Sequence, residues 1–177
     1  MILGQRLARV ARQLPLASSS ARSVHVEAKL DKMGITLPPA SPPKGTGFVL
    51  ASRTGNLIYT AGHLPADTGG NLVKGKVGKE VSEEEANAAA RLVAINLMGT
   101  LKNELGDLDR VKRVVKLVGF VNCVDGFSAQ PAVVNGASDL LLEVFGEKGR
   151  HSRSAVGTNA LPLNVAVEIE AIVEVEG

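Results

Sequence analysis

Apolar residues recur along this chain in two rhythms. From Ala86 to Leu105 they fall at helical spacing: Ala86, Ala89, Ala90, Val93, Leu97, Leu101 and Leu105. Ser82 stands ahead of the run with Glu85 three residues later, the pattern of a capping box, and Gly106 ends it. The many alanines imply close packing on a sheet. A second helix is expected from about Pro131 to Phe145, starting on proline, stopping at Gly146 and burying Leu140, Leu141, Val144 and Phe145. A short one is expected from Val26 to Gly34 on the stripe Val26, Leu30, Met33.

The other rhythm is that of strands. Val165, Val167, Ile169 and Ala171 alternate with Ala166, Glu168, Glu170 and Ile172. A strand carrying Arg153 at its mouth precedes them across the Leu161-Pro162 break. Val114 to Cys123 is apolar and β-branched, as in a mostly buried strand, and Asp125-Gly126 makes the following turn. Upstream, Phe48–Ser52 is expected to pair with Leu57–Ala61 across Arg53-Thr54-Gly55-Asn56. A looser third strand is expected around Asn71–Val77, punctuated by glycines. The order β-β-β-α-β-α-β-β predicts an α+β fold, a mixed sheet with both main helices on one face. The other face, left bare, needs a partner.

Charge changes the picture at the N-terminus. Residues 1–26 hold Arg6, Arg9, Arg12 and Arg22 and no acid. On a helical wheel Arg6, Arg9 and Arg12 lie opposite Leu3, Leu7, Val10 and Leu14, and a Ser-rich stretch follows. This reads as an organelle-targeting peptide over residues 1–25, for the mitochondrial matrix or, alternatively, a plastid, cleaved between Arg22 and Glu27. Residues 26–47 are then a short helix and a linker stiffened by Pro38, Pro39, Pro42 and Pro43, and residues 48–177 are the globular domain. The 177 residues carry 20 Lys and Arg against 18 Asp and Glu; without the four arginines, 16 face 18. A slightly acidic chain with four Phe, one Tyr and no Trp argues against nucleic acid as the partner. No segment is apolar enough to span a bilayer.

Candidate chemistry is sparse. Cys123 is the only cysteine, so no internal disulfide forms, and its apolar strand marks it as a small core residue. His25, His63 and His151 lack metal-ligand spacing, and the glycines make no phosphate-binding pattern; no metal and no cofactor are expected. Arg153 is different. A guanidinium fixed at a strand mouth can hold a carboxylate with two parallel hydrogen bonds, although a surface arginine beside a strand is the commoner case.

Three stretches together resemble one family. Arg153-Ser154, eight residues before Leu161-Pro162 and followed by Glu168-Ile169-Glu170-Ala171-Ile172, is similar to the C-terminal signature of YjgF-type (Rid) proteins, also known as the liver perchloric-acid-soluble "endoribonuclease" family. Gly55-Asn56-Leu57-Ile58-Tyr59-Thr60-Ala61-Gly62-His63-Leu64-Pro65 resembles its N-terminal hairpin, and Phe120 to Phe127 its central strand and turn. The likeness runs from about Phe48 to Val175. It implies a chorismate-mutase-like fold whose sheets meet in a homotrimeric barrel with three clefts between neighbours. It also implies an enamine or imine deaminase acting on small carboxylate-bearing molecules such as 2-aminoacrylate. In that reading Arg153 binds the substrate carboxylate and Glu168 exchanges protons. The remaining substrate-binding positions depart from the family: Phe48 replaces a tyrosine, Ala61 a serine, Asp125 an asparagine and Ala155 a cysteine. Two alternatives stand beside the deaminase: a non-catalytic small-metabolite binder, and the ribonuclease or translation inhibitor of the older family name.

Overall fold

A computed structural model describes residues 25–42 and 44–177. The expected targeting peptide therefore lies outside the described residues, apart from His25. Helix α1 spans Val26–Lys32, α2 Glu83–Leu105 and α3 Gln130–Phe145. The strands are β1 Ala51–Thr54, β2 Leu57–Thr60, β3 Val111–Asn122, β4 Ser152–Thr158 and β5 Val167–Val175. They form one five-stranded sheet in the order β1-β2-β5-β3-β4. All neighbours are antiparallel except β3 and β4, whose parallel pairing is made through the α3 crossover.

The helices follow their sequence signals. Ser82 Oγ accepts from the Glu85 N–H while the Glu85 carboxylate accepts from the Ser82 N–H, and Gly106 closes α2 in the left-handed conformation. The two long helices pack on each other and on the sheet face carrying Leu117, Val121, Val167, Ile169, Ala171 and Val173, all buried. Their axes come close because Gly136 lies against α2: a Cβ there would stand 2.0 Å from the Asn87 carbonyl oxygen. Helix α1 adds Val26 and Leu30 to the same core. It is tied down by the Val26 N–H, which donates to Asp109, and by Glu27, which accepts from Lys102 Nζ and the Leu108 N–H. Each buried large aliphatic side chain contributes roughly 1.5–3 kcal/mol of transfer free energy.

Two expectations need correction. The stretch Asn71–Val77 is not a strand. Gly70 (φ 81°) and Gly75 (φ 122°) turn the backbone, leaving only single bridges such as Lys74 to Val165. The sheet therefore has one strand fewer than the sequence order implied. The first hairpin is also tighter and displaced: Thr54 pairs with Leu57 across Gly55-Asn56, and β1 begins only at Ala51. Phe48 and Ala61 thus lie just outside the strands expected to hold them. Past Thr60 the chain bulges. The Thr60 hydroxyl accepts from the Ala171 N–H, and regular pairing with β5 resumes at His63 opposite Ile169.

Candidate functional site

The alternation of β5 decides where its carboxylates go. Val167, Ile169, Ala171, Val173 and Val175 enter the core, so Glu168 and Glu170 point to the opposite face, which carries no helix among the described residues. Glu168 lies across from Phe120 on β3, and Glu170 across from Val118. The bulge after β2 brings Gly62 beside Glu168, and a Cβ at Gly62 would stand 1.8 Å from Glu168 Oε1. Only glycine leaves that seat open. Burial pushes the Glu168 carboxyl above the ordinary carboxylate range, and the charge of Glu170 adds to the shift. No basic side chain pairs with Glu168 among the described residues.

Arg153 occupies the other side of the sheet. It is opposite Leu117 on edge strand β4, so it faces α3. Its Nη1 donates to Asn135 Oδ1 at 2.9 Å and to Ser138 Oγ at 2.9 Å, and its Nη2 donates to the Pro131 carbonyl at 3.2 Å. Pro131, Asn135 and Ser138 form one face of α3, at successive near-turn spacing. A guanidinium has five N–H donors. With three committed here, Nε–H and one Nη2 hydrogen remain for a ligand.

A hydrogen-bond chain sets the direction of one of these contacts. His151 Nδ1 lies 2.6 Å from the Gly149 carbonyl, and its Nε2 lies 3.0 Å from Ser138 Oγ. A carbonyl only accepts, so Nδ1 carries the hydrogen, and Nε2 of the neutral ring accepts from the Ser138 hydroxyl. The Ser138 lone pairs are then free to accept from Arg153. Burial lowers the His151 pKa, the Gly149 bond opposes that, and the Arg153 charge lowers it further, which favours the neutral ring. A cleft of about 270 Å³ opens here, lined by Ser138, Leu142, Arg150, His151 and Arg153.

The remaining expected positions are spread over several places. Ala155 follows Arg153 on the helix side of β4 and packs on the core. Asp125 is exposed in the turn beyond β3. Phe48, with 48% of its surface exposed, and Gly62, next to Ala61, line a larger cavity of about 520 Å³. Arg153 and Glu168 are therefore not brought together within one chain, because they project from opposite faces of the sheet. Sequence reasoning missed Asn135, Ser138 and the Gly62 seat. The spacing of 131, 135 and 138 marks a helix face, but nothing in it says that β4 lies beneath. His63 is buried, with Nδ1 2.8 Å from the Ala61 carbonyl and Nε2 2.7 Å from Thr100 Oγ1; it fastens the bulge to α2.

A five-stranded mixed sheet with two long helices packed on one face places the molecule in the α+β class. The profile described as "YjgF/chorismate_mutase-like, putative endoribonuclease" matches residues 27–175, and the chain belongs to that family. Among curated proteins it is similar to Protein TCP17 of Trypanosoma cruzi, 45% identical over 157 residues, which cover 88% of this chain and 98% of that one. Among solved structures it resembles Atu1372 of Agrobacterium tumefaciens, described as of unknown function, at 44% identity and TM-score 0.79, covering 87% of this chain and 96% of that one. RidA of an Antarctic Psychrobacter shares the fold at 24% identity and TM-score 0.53, covering 78% of this chain and 94% of that one. Membership supports a small-molecule deaminase or binding role at the level of the family.

Proposed function

We propose that the protein hydrolyses small carboxylate-bearing enamines and imines, of which 2-aminoacrylate is the simplest, to a 2-oxo acid and ammonia. The observation that carries this reading is the Glu168 carboxyl: half-buried, raised by burial and by Glu170, seated on Gly62 and, among the described residues, without a basic partner. A carboxyl group held near its proton in that way can protonate the enamine carbon, then take a proton from the attacking water. The water oxygen bonds to the imine carbon; the carboxyl then passes its proton to nitrogen and takes up the hydroxyl proton as C=O forms, so that the C–N bond breaks and ammonia leaves. Arg153 would hold the substrate carboxylate through its two remaining donors.

Since Arg153 and Glu168 face opposite ways in one chain, the reading requires two copies. The bare sheet face carries Tyr59, Val118, Phe120, Val156 and Ile172 beside the two glutamates, of which Tyr59 and Val156 are well exposed. A homotrimer that buries this face would place Glu168 of one subunit near Arg153 of the next. A second reading, a non-catalytic binder, is favoured by Phe48, Ala61 and Ala155, which supply no side-chain hydrogen bond where the family's deaminases have Tyr, Ser and Cys. An ammonia-release assay on imines generated in place separates the two. Turnover that depends on Glu168 supports the hydrolase; ligand binding without turnover leaves the binder.

A further inference from the structure

The cavity lined by Phe48 and Gly62 is larger than a three-carbon substrate needs. At about 520 Å³ it lies within the usual size range of small-molecule pockets, roughly 300–1,000 Å³. It opens beside Phe48, Leu50 and the stretch following β2. Its walls are Phe48, Leu50, Leu64, Leu72 and Leu163, with Gly62 at one side. Gly62 is the residue on which the Glu168 carboxyl rests, so cavity and acid share a wall. Several polar groups in the lining are engaged within the protein. Asp67 accepts from Gly69, from the Asn71 N–H and from Asn71 Nδ2; Asn96 Nδ2 donates to the carbonyls of Leu64 and Ala66; both ring nitrogens of His63 are bonded. The rim is held in an unusual state. Leu163 has φ 55° and remains 65% exposed. A leucine kept in the left-handed region with its side chain in solvent, beside an apolar recess, marks a site that gains contact when the recess is filled.

We infer that this recess is a side-chain subsite, and that the preferred substrate is the imine of a branched or aromatic amino acid, not of alanine or serine. This rests on the hydrolase reading and deepens it. The carboxylate and the reacting carbon would lie between Arg153 and Glu168, while the substrate's hydrocarbon side chain passes Gly62 into the recess. Phe48 fits this role. Its ring extends the apolar wall.

The test uses the full chain and imines generated by an amino-acid oxidase from alanine and from leucine. The leucine-derived imine is expected to show a kcat/KM at least about tenfold higher, the discrimination that added methylenes provide in an apolar pocket. Ala40 and Ala66 also line the recess, so Ala66→Phe and, independently, Ala40→Trp should shrink it and erase that preference while sparing the alanine-derived imine. Calorimetry with pyruvate and 4-methyl-2-oxopentanoate reads the same preference without turnover. A stronger response to alanine and pyruvate, equal responses, or no binding of either oxo acid overturns the subsite. Tight binding of 4-methyl-2-oxopentanoate with no ammonia release would retain the subsite and refute the hydrolase.

Discussion

The two faces of the sheet hold their functional groups in opposite ways. On the helix side, Arg153 is fixed by its own chain: three of its donors end on α3, and Ser138 and His151 set the direction of one of those bonds. On the bare side, Glu168 rests on a glycine, with no cation beside it among the described residues and a second carboxylate two residues away. The arginine is organised before any ligand arrives, and ordering it costs little on binding. The acid is left half-desolvated, which keeps its proton available. Preorganisation suits a group that binds; incomplete neutralisation suits a group that must exchange a proton.

The largest effect should come from the bare side. Glu168→Gln keeps the shape but cannot exchange the proton, so turnover is expected to fall about 10²–10⁴-fold with ligand affinity little changed. Steady-state ammonia release alongside calorimetry checks this; a fully active variant removes the acid–base role. On the helix side the loss should appear in binding. Arg153→Ala should weaken 2-oxo acid affinity by roughly 2–5 kcal/mol, and Arg153→Lys by less, since a single ammonium cannot reproduce a two-donor grip. Unchanged affinity in a folded Arg153→Ala protein would reassign the site.

Gly62→Ala sharpens the contrast, because its methyl group would enter the space of Glu168 Oε1. We expect displacement of the carboxyl, loss of turnover, and roughly 1–3 kcal/mol of destabilisation in chemical denaturation, as is usual for overpacking. The smallest effect concerns pH. Because the folded pKa of Glu168 is raised, the native state holds that proton more tightly than the unfolded chain does. Stability from this group is therefore greatest in acid and declines as pH rises from the unfolded carboxylate range, about 4.3, through the folded pKa. The Glu168→Gln protein should lack that decline in denaturation curves measured from pH 4 to 7. Parallel curves for the two proteins would show that Glu168 is not shifted.

Much of the molecule follows from sequence because local rules decide it. The Ser82–Glu85 cap, the apolar stripe of α2, the Gly106 stop and the period-two alternation of β5 are short-range patterns, and the structure realises each. That alternation alone placed Glu168 opposite the core. The failures arise where backbone freedom competes with pattern. Asn71–Val77 has the residues of a weak strand, but two left-handed glycines break it; Phe48 lies outside β1 because a two-residue turn displaced the hairpin. The grip of Asn135 and Ser138 on Arg153, the seat at Gly62 and the recess behind Phe48 join residues far apart in the chain. Only the packing of α3 on β4, and the bulge after β2, decided those contacts, since side-chain reach across elements depends on crossing geometry that no local sequence rule contains.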